Sequence, residues 1–294
     1  MSPAKDNSIA IGILCGVGAA VCWAGGFTAA RHGIDIGFSP FDIVLHRTGW
    51  FGLLLLPMFL RDSPADLNGI GWGRGIVLTI LAGPVFSAIS YSGFLLVPLG
   101  HGGVIQPATA AITGLVLATL VLREMLPTQR VLGVSIIVLG LAVIGGEAAT
   151  TIGRHGLLGD LMFVAAGAMF GTFGMLLRRW RLDGMRATVG VSIVSLAYAP
   201  LHGLLFGYER MLALGWKENL IQVLVQGVLA GPAAIYLFTR SVVLLGAARA
   251  AVFPSLVPGF TLLTGYLALG IVPSIPQILG FAIVLAGFRL AQKP

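Results

Sequence analysis

The chain has 294 residues and a mass of 30.6 kDa; 57% of it is hydrophobic and only 10% charged, with mean hydropathy +0.96. A water-soluble domain carries about 25% charged residues to cover its surface, so this composition excludes a soluble globule and a disordered chain, and makes the lipid bilayer the solvent. The formal charge of +7 sits in short gaps between apolar runs, a distribution that orients membrane helices and does not point to nucleic acid.

A spanning helix needs about 20 mostly apolar residues. That measure predicts an all-α membrane protein with ten spans, at 9–30, 41–60, 74–97, 102–122, 128–146, 156–177, 187–207, 219–244, 248–270 and 274–291. The first holds Gly12-x-x-x-Gly16, Trp23 and both cysteines, Cys15 and Cys22, seven residues apart. That spacing is about 10 Å along a helix, too far for a disulfide. The second holds His46 and Arg47, for which an ion pair with Asp42 is the expectation. Residues 75–122 contain no Lys, Arg, Asp or Glu, enough for two spans, with the break expected at Pro98-Leu99-Gly100-His101-Gly102. The sixth carries Gly167-x-x-x-Gly171, a small-residue packing motif, and Phe170. Residues 250–288 are again free of charge and are divided by Pro273 and Pro276.

Polar groups at membrane depth are costly and mark candidate sites. Ser87, Ser90 and Tyr91 in the third span share a helix face, as do Gln106, Thr109 and Thr113 in the fourth and Tyr236, Thr239 and Arg240 in the eighth. These three faces are expected to line one substrate cavity, with Trp23 and Phe170 as its apolar wall and Arg240 available to anionic substrate groups. The competing expectation is that Ser and Thr bond back to their own helices. Gly83, Pro84, Pro107, Gly231, Pro232 and Pro254 interrupt spans and are the expected hinges. There is no Walker-type phosphate loop, no HExxH and no Ser-His-Asp pattern, and the histidines are scattered. Neither an enzyme, a cofactor nor a metal centre is expected.

The sequence repeats. Leu81-Ala82-Gly83-Pro84 returns as Leu229-Ala230-Gly231-Pro232 at an offset of 148, and Leu132-Gly133 as Leu279-Gly280 at 147. At 147, Gly12, Ala19, Trp23 and Arg31 fall on Gly159, Ala166, Phe170 and Arg178. Two halves are expected, 1–150 and 151–294, each with five spans. Five is odd, so the second half starts on the opposite side of the bilayer and is inverted, the architecture of many secondary transporters. With the N-terminus inside, Lys and Arg in the loops divide 12 inside to 4 outside, which places both termini in the cytoplasm.

The five-plus-five order resembles the EamA-like group of the drug/metabolite transporter superfamily. So do Ser39-Pro40 ahead of a span containing Arg47, Gly102 to Pro107, Leu122-Arg123-Glu124, and Gln129 followed by Gly133. The second half departs from the pattern, with Ile271 where the first half has Glu124. The resemblance is nearest to bacterial amino-acid and metabolite exporters of the aromatic amino acid type. It implies efflux of small molecules, with amino acids foremost, across a bacterial inner membrane; nucleosides, sugars and lipophilic drugs are the other substrates to weigh, and a membrane scaffold or receptor the other class. The small four-span multidrug relatives use a glutamate in their first helix, and no acid lies between Gly12 and Ala30 here. Movement of substrate down its gradient, without an obligatory proton, is therefore expected.

Overall fold

The computed structural model describes residues 3–61, 64–123, 127–151, 156–245, 250 and 252–291, with side chains described except at 3–7 and 145–151. Asp62, Glu124, Arg154, His155, Arg249 and Lys293, and the side chain of Lys5, lie outside the described residues. Every regular element among the described residues is helical. A bilayer offers no partner to an open backbone N–H or C=O, so helices that close their own hydrogen bonds are the expected solution.

In chain order the helices are α1 (Pro3–Ile36), α2 (Pro40–Arg61), α3 (Trp72–Ala82), α4 (Pro84–Gly93), α5 (Leu99–Leu120), α6 (Thr128–Thr151) and α7 (Gly156–Arg179). Then follow α8 (Gly184–Ser195), α9 (Tyr198–Phe206), the short α10 (Glu209–Ala213), α11 (Trp216–Gln222), α12 (Ala234–Leu245), α13 (Val257–Leu269) and α14 (Ile275–Ala291). Seven stretches are long and apolar enough to cross a membrane: Ser8–Ile36, Pro40–Arg61, Trp72–Gly93, Leu99–Leu120, Gly156–Arg179, Gly184–Phe206 and Trp216–Leu245. Three shorter apolar helices, Thr128–Ile144, Phe253–Leu269 and Ile275–Ala291, lie where the fifth, ninth and tenth spans are expected.

Local chemistry sets the breaks. Ser39 and Asp42 form a reciprocal cap on α2: Asp42 N–H donates to Ser39 Oγ (3.1 Å) and Ser39 N–H donates to Asp42 Oδ2 (2.8 Å). Gly83 leaves the helical region (φ −100°, ψ −139°) and Pro84 opens α4. Gly231 does the same in the second half (φ −91°, ψ −106°), inside a π-helical stretch, Val223–Ala233, that joins α11 to α12. The expected break at Pro98 to Gly102 falls earlier: Pro98 is extended (φ −62°, ψ 163°) and caps α5, so Leu99 to Gly102 are already helical. Proline lacks the N–H that a helix interior uses, and the first turn does not need it.

The packing exchanges the two halves. α1 packs on α12 and α13, while α7 packs on α4 and α5. α2 faces α8, and α6 runs along α14. Glycine brings these pairs together: a Cβ on Gly140 would lie 2.7 Å from Gly280 O, and one on Gly287 would lie 2.7 Å from Gly133 O. Close backbone approach of this kind gives helices in lipid their dispersion energy. Gly167 and Gly171 seat α7 on the backbone of α5 in the same way, with added Cβ atoms 2.5 Å from Gln106 O and 2.7 Å from Ala110 O.

Candidate functional site

A cavity between the exchanged helices contains about 610 Å³ of unfilled space, part of it open to the outside. Its apolar wall is built of Trp23 and Phe27 from α1, Phe86 from α4 and Phe170 from α7. Trp23 and Phe170, which the repeat register superimposes, meet edge to face with ring centroids 6.3 Å apart. Phe86 lies 5.8 Å from Phe170, and Phe238 backs Trp23 at 5.4 Å. Pro107 and Pro254 line the cavity from opposite halves. Gly83 and Gly231, with Pro84 and Pro232, break the helices that carry the polar wall and the facing helix but are not part of the lining.

The polar wall is a hydrogen-bonded chain. Arg47 Nη1 donates to Tyr91 Oη (3.2 Å), and Tyr91 donates to Gln226 Oε1 (2.8 Å). Gln226 Nε2 donates onward to Gly26 O on α1 (2.7 Å), across the two halves. Beside it, Ser90 Oγ donates to Gln106 Oε1 (2.6 Å). Arg47, Ser90, Tyr91 and Gln106 all line the cavity.

The expected set thus divides. Trp23, Ser90, Tyr91, Gln106 and Phe170 converge. Ser87 is buried with its hydroxyl unpartnered, and is not part of the lining. Thr109 and Thr113 instead meet the glycine face of α7. Tyr236, Thr239 and Arg240 do not reach the cavity: Tyr236 and Arg240 are exposed, and Thr239 packs near Gly184. The cause is the inner face of α12, where Ala234 and Ser241 are buried, and Leu237 and Leu245 meet Gly18 and Gly12 of α1. Glycines on α1 allow that face to approach closely, which leaves Tyr236 and Arg240 on the outside and Thr239 against Gly184.

Arg47 departs from expectation too. Asp42 does not pair with it; its Oδ1 lies 2.9 Å from His202 Nε2, and its Oδ2 is taken by the cap. His46 is likewise engaged: Trp50 Nε1 donates to its Nδ1 (3.2 Å), so Nε2 carries the proton that reaches Asn219 Oδ1 (3.0 Å). That is the pattern of a neutral ring. Gln226 was not anticipated. Its signal was Gln222 and Gln226 one turn apart in an apolar run, both fully buried, with Gln222 Nε2 donating to Ala29 O (2.8 Å).

The model of the EamA-like transporter family matches the chain twice, over residues 10–146 and 157–291. The chain belongs to that family, and is a multi-pass membrane protein of a transporter class. Seventeen chains of solved structures match it. In one of them, a crystal structure, the likeness has a TM-score of 0.70 over 95% of this chain and 96% of the other, at 18% identity. That likeness concerns the fold. No protein of curated function matches the sequence.

Proposed function

We propose that the chain is an exporter of small metabolites, amino acids foremost, working by alternating access through the cavity between its halves. The reading takes ten spans in two inverted halves, 1–150 and 151–294, with both termini on the cytoplasmic face of a bacterial inner membrane. The observation that carries it is the cavity wall: Trp23 and Phe170, and Pro107 and Pro254, are repeat-related pairs contributed by opposite halves to one space. Two similar halves that share a site can exchange conformations and open it to one side and then the other. The scale of the cavity suits one small molecule, with apolar rings for its body and a few placed polar groups for orientation.

Movement is gradient-driven and needs no proton. Among the described residues no Asp or Glu lines the cavity, and a proton-coupled carrier ordinarily keeps such a group at membrane depth. The test is flux into proteoliposomes with no pH difference and no membrane potential. Downhill uptake of amino acids that an imposed pH gradient does not drive uphill is expected. Accumulation driven by the gradient contradicts the uncoupled reading, and absence of flux for amino acids, nucleosides and sugars alike leaves the scaffold class.

A further inference from the structure

We infer that the cavity is an anion site, in which Arg47 receives the carboxylate of a substrate whose apolar body lies against Trp23, Phe86 and Phe170. The inference deepens the transport reading and rests on it. Arg47 stands seven residues into α2 from Pro40, about 10 Å along the helix axis, and lines the cavity. A guanidinium carries five N–H donors. Among the described residues Arg47 uses one, on the neutral hydroxyl of Tyr91.

The carboxylates of the surrounding helices are spent elsewhere. Asp42 is held by His202 (2.9 Å), Asp35 by Arg31 (2.8 Å), Asp160 by His101 (2.7 Å) and Glu218 by His32 (3.0 Å). None of the four lines the cavity. A cation at membrane depth without a counter-charge is costly, and a bound anion relieves that cost. The remaining polar lining is also donor-rich. Gln106 accepts from Ser90 through Oε1, and among the described residues its Nε2 has no protein partner. Tyr91 donates to Gln226, so its oxygen accepts from Arg47 and holds the guanidinium in place. A guanidinium with one of its five donors used, an unspent amide N–H and four aromatic rings complement a carboxylate on an apolar body. No described acid in the lining receives an ammonium, so a zwitterionic amino acid is held through its carboxylate.

The test compares N-acetyl-L-phenylalanine with N-acetyl-L-phenylalaninamide, which lacks the charge, and with L-phenylalanine. Binding to the purified full-length protein is read from ligand-dependent thermal stabilisation in detergent, and transport from competition with labelled L-phenylalanine in proteoliposomes. Both carboxylates should bind at least about tenfold more tightly than the amide, the scale of a charge-assisted pair. Arg47→Gln should remove that difference, and Arg47→Lys should keep part of it. An amide that binds as well as the acid overturns the inference, as does a preference that survives in Arg47→Gln or a wild-type protein that none of the three stabilises. The comparison in wild-type protein stands even where a variant fails to fold. Binding without flux would instead remove the transport reading and leave the anion site.

Discussion

Asp42 closes the first turn of α2 with one oxygen and ties that helix to α9 with the other. Its partner His202 is fully buried, and the second ring nitrogen of that histidine already lacks a partner. Asp42→Ala therefore orphans a buried ring as well as a cap. Losses of about 1–3 kcal/mol for the buried group and about 1 kcal/mol for the cap are expected, visible as a lower Tm in detergent. His202→Ala should also lower the Tm, because it empties a buried site and leaves a carboxylate oxygen of Asp42 unpaired; an unchanged Tm in either variant would show that the tie contributes nothing. The same residue marks a limit of sequence reading. Asp42 and Arg47 are five apart, roughly 140° around a helix at 3.6 residues per turn, so they face different neighbours. Spacing alone discouraged the pair, but it did not say that Arg47 would face a cavity. Tyr91, Gln106 and Trp23 were legible because polar or aromatic groups in apolar spans have few reasons to be there.

Helices α6 and α14 are the clearest success of pattern reading. Their glycines, Gly133 with Gly140 and Gly280 with Gly287, were legible as a repeated spacing, and they turn out to face one another in a backbone-close crossing. Gly280→Ala places a methyl group 2.7 Å from Gly140 O. The two backbones must separate, at an overpacking cost of about 1–3 kcal/mol. Gly114→Ala, where an added Cβ meets nothing within 4 Å, should keep the Tm or raise it slightly, since Ala favours a helix over Gly. Thermal unfolding of the two variants side by side checks this, and similar Tm values would remove the crossing from the account. The element that sequence did not reveal is the π-helical stretch Val223–Ala233 ahead of α12. Both copies of Leu-Ala-Gly-Pro are legible as interruptions, but the change of winding ahead of the second leaves no mark in the repeat offset. The interior face of α12 is set by Leu237 and Leu245 against Gly18 and Gly12 of α1, and close packing outweighed the polar pattern.

Across the whole molecule, the described histidine–carboxylate pairs between helices cluster at one set of helix ends. His32 with Glu218, Asp42 with His202, and His101 with Asp160 join α1 to α11, α2 to α9, and α5 to α7. Arg31 adds bonds to Phe94 O (2.9 Å) and Val97 O (3.3 Å). In the proposed ten-span orientation these ends stand together on the face opposite the N-terminus, the outer face. Under the proposed alternating access these pairs would have to part for that face to open, while the glycine-packed helices move as bodies. The repetition of the two halves was legible in the sequence, and the family model matches each of them. The latch was not, because its partners lie 59 to 186 residues apart in the chain and share no motif. The most direct measurement concerns Ala110, which lines the cavity. A single cysteine there, in a chain with Cys15 and Cys22 replaced by Ala, is exposed to an impermeant thiol reagent in right-side-out and in inside-out vesicles. Labelling from both sides, slowed in each case by a transported substrate, is the expected result. Labelling from one side only, indifferent to substrate, would contradict a single cavity that opens alternately to the two faces of the membrane.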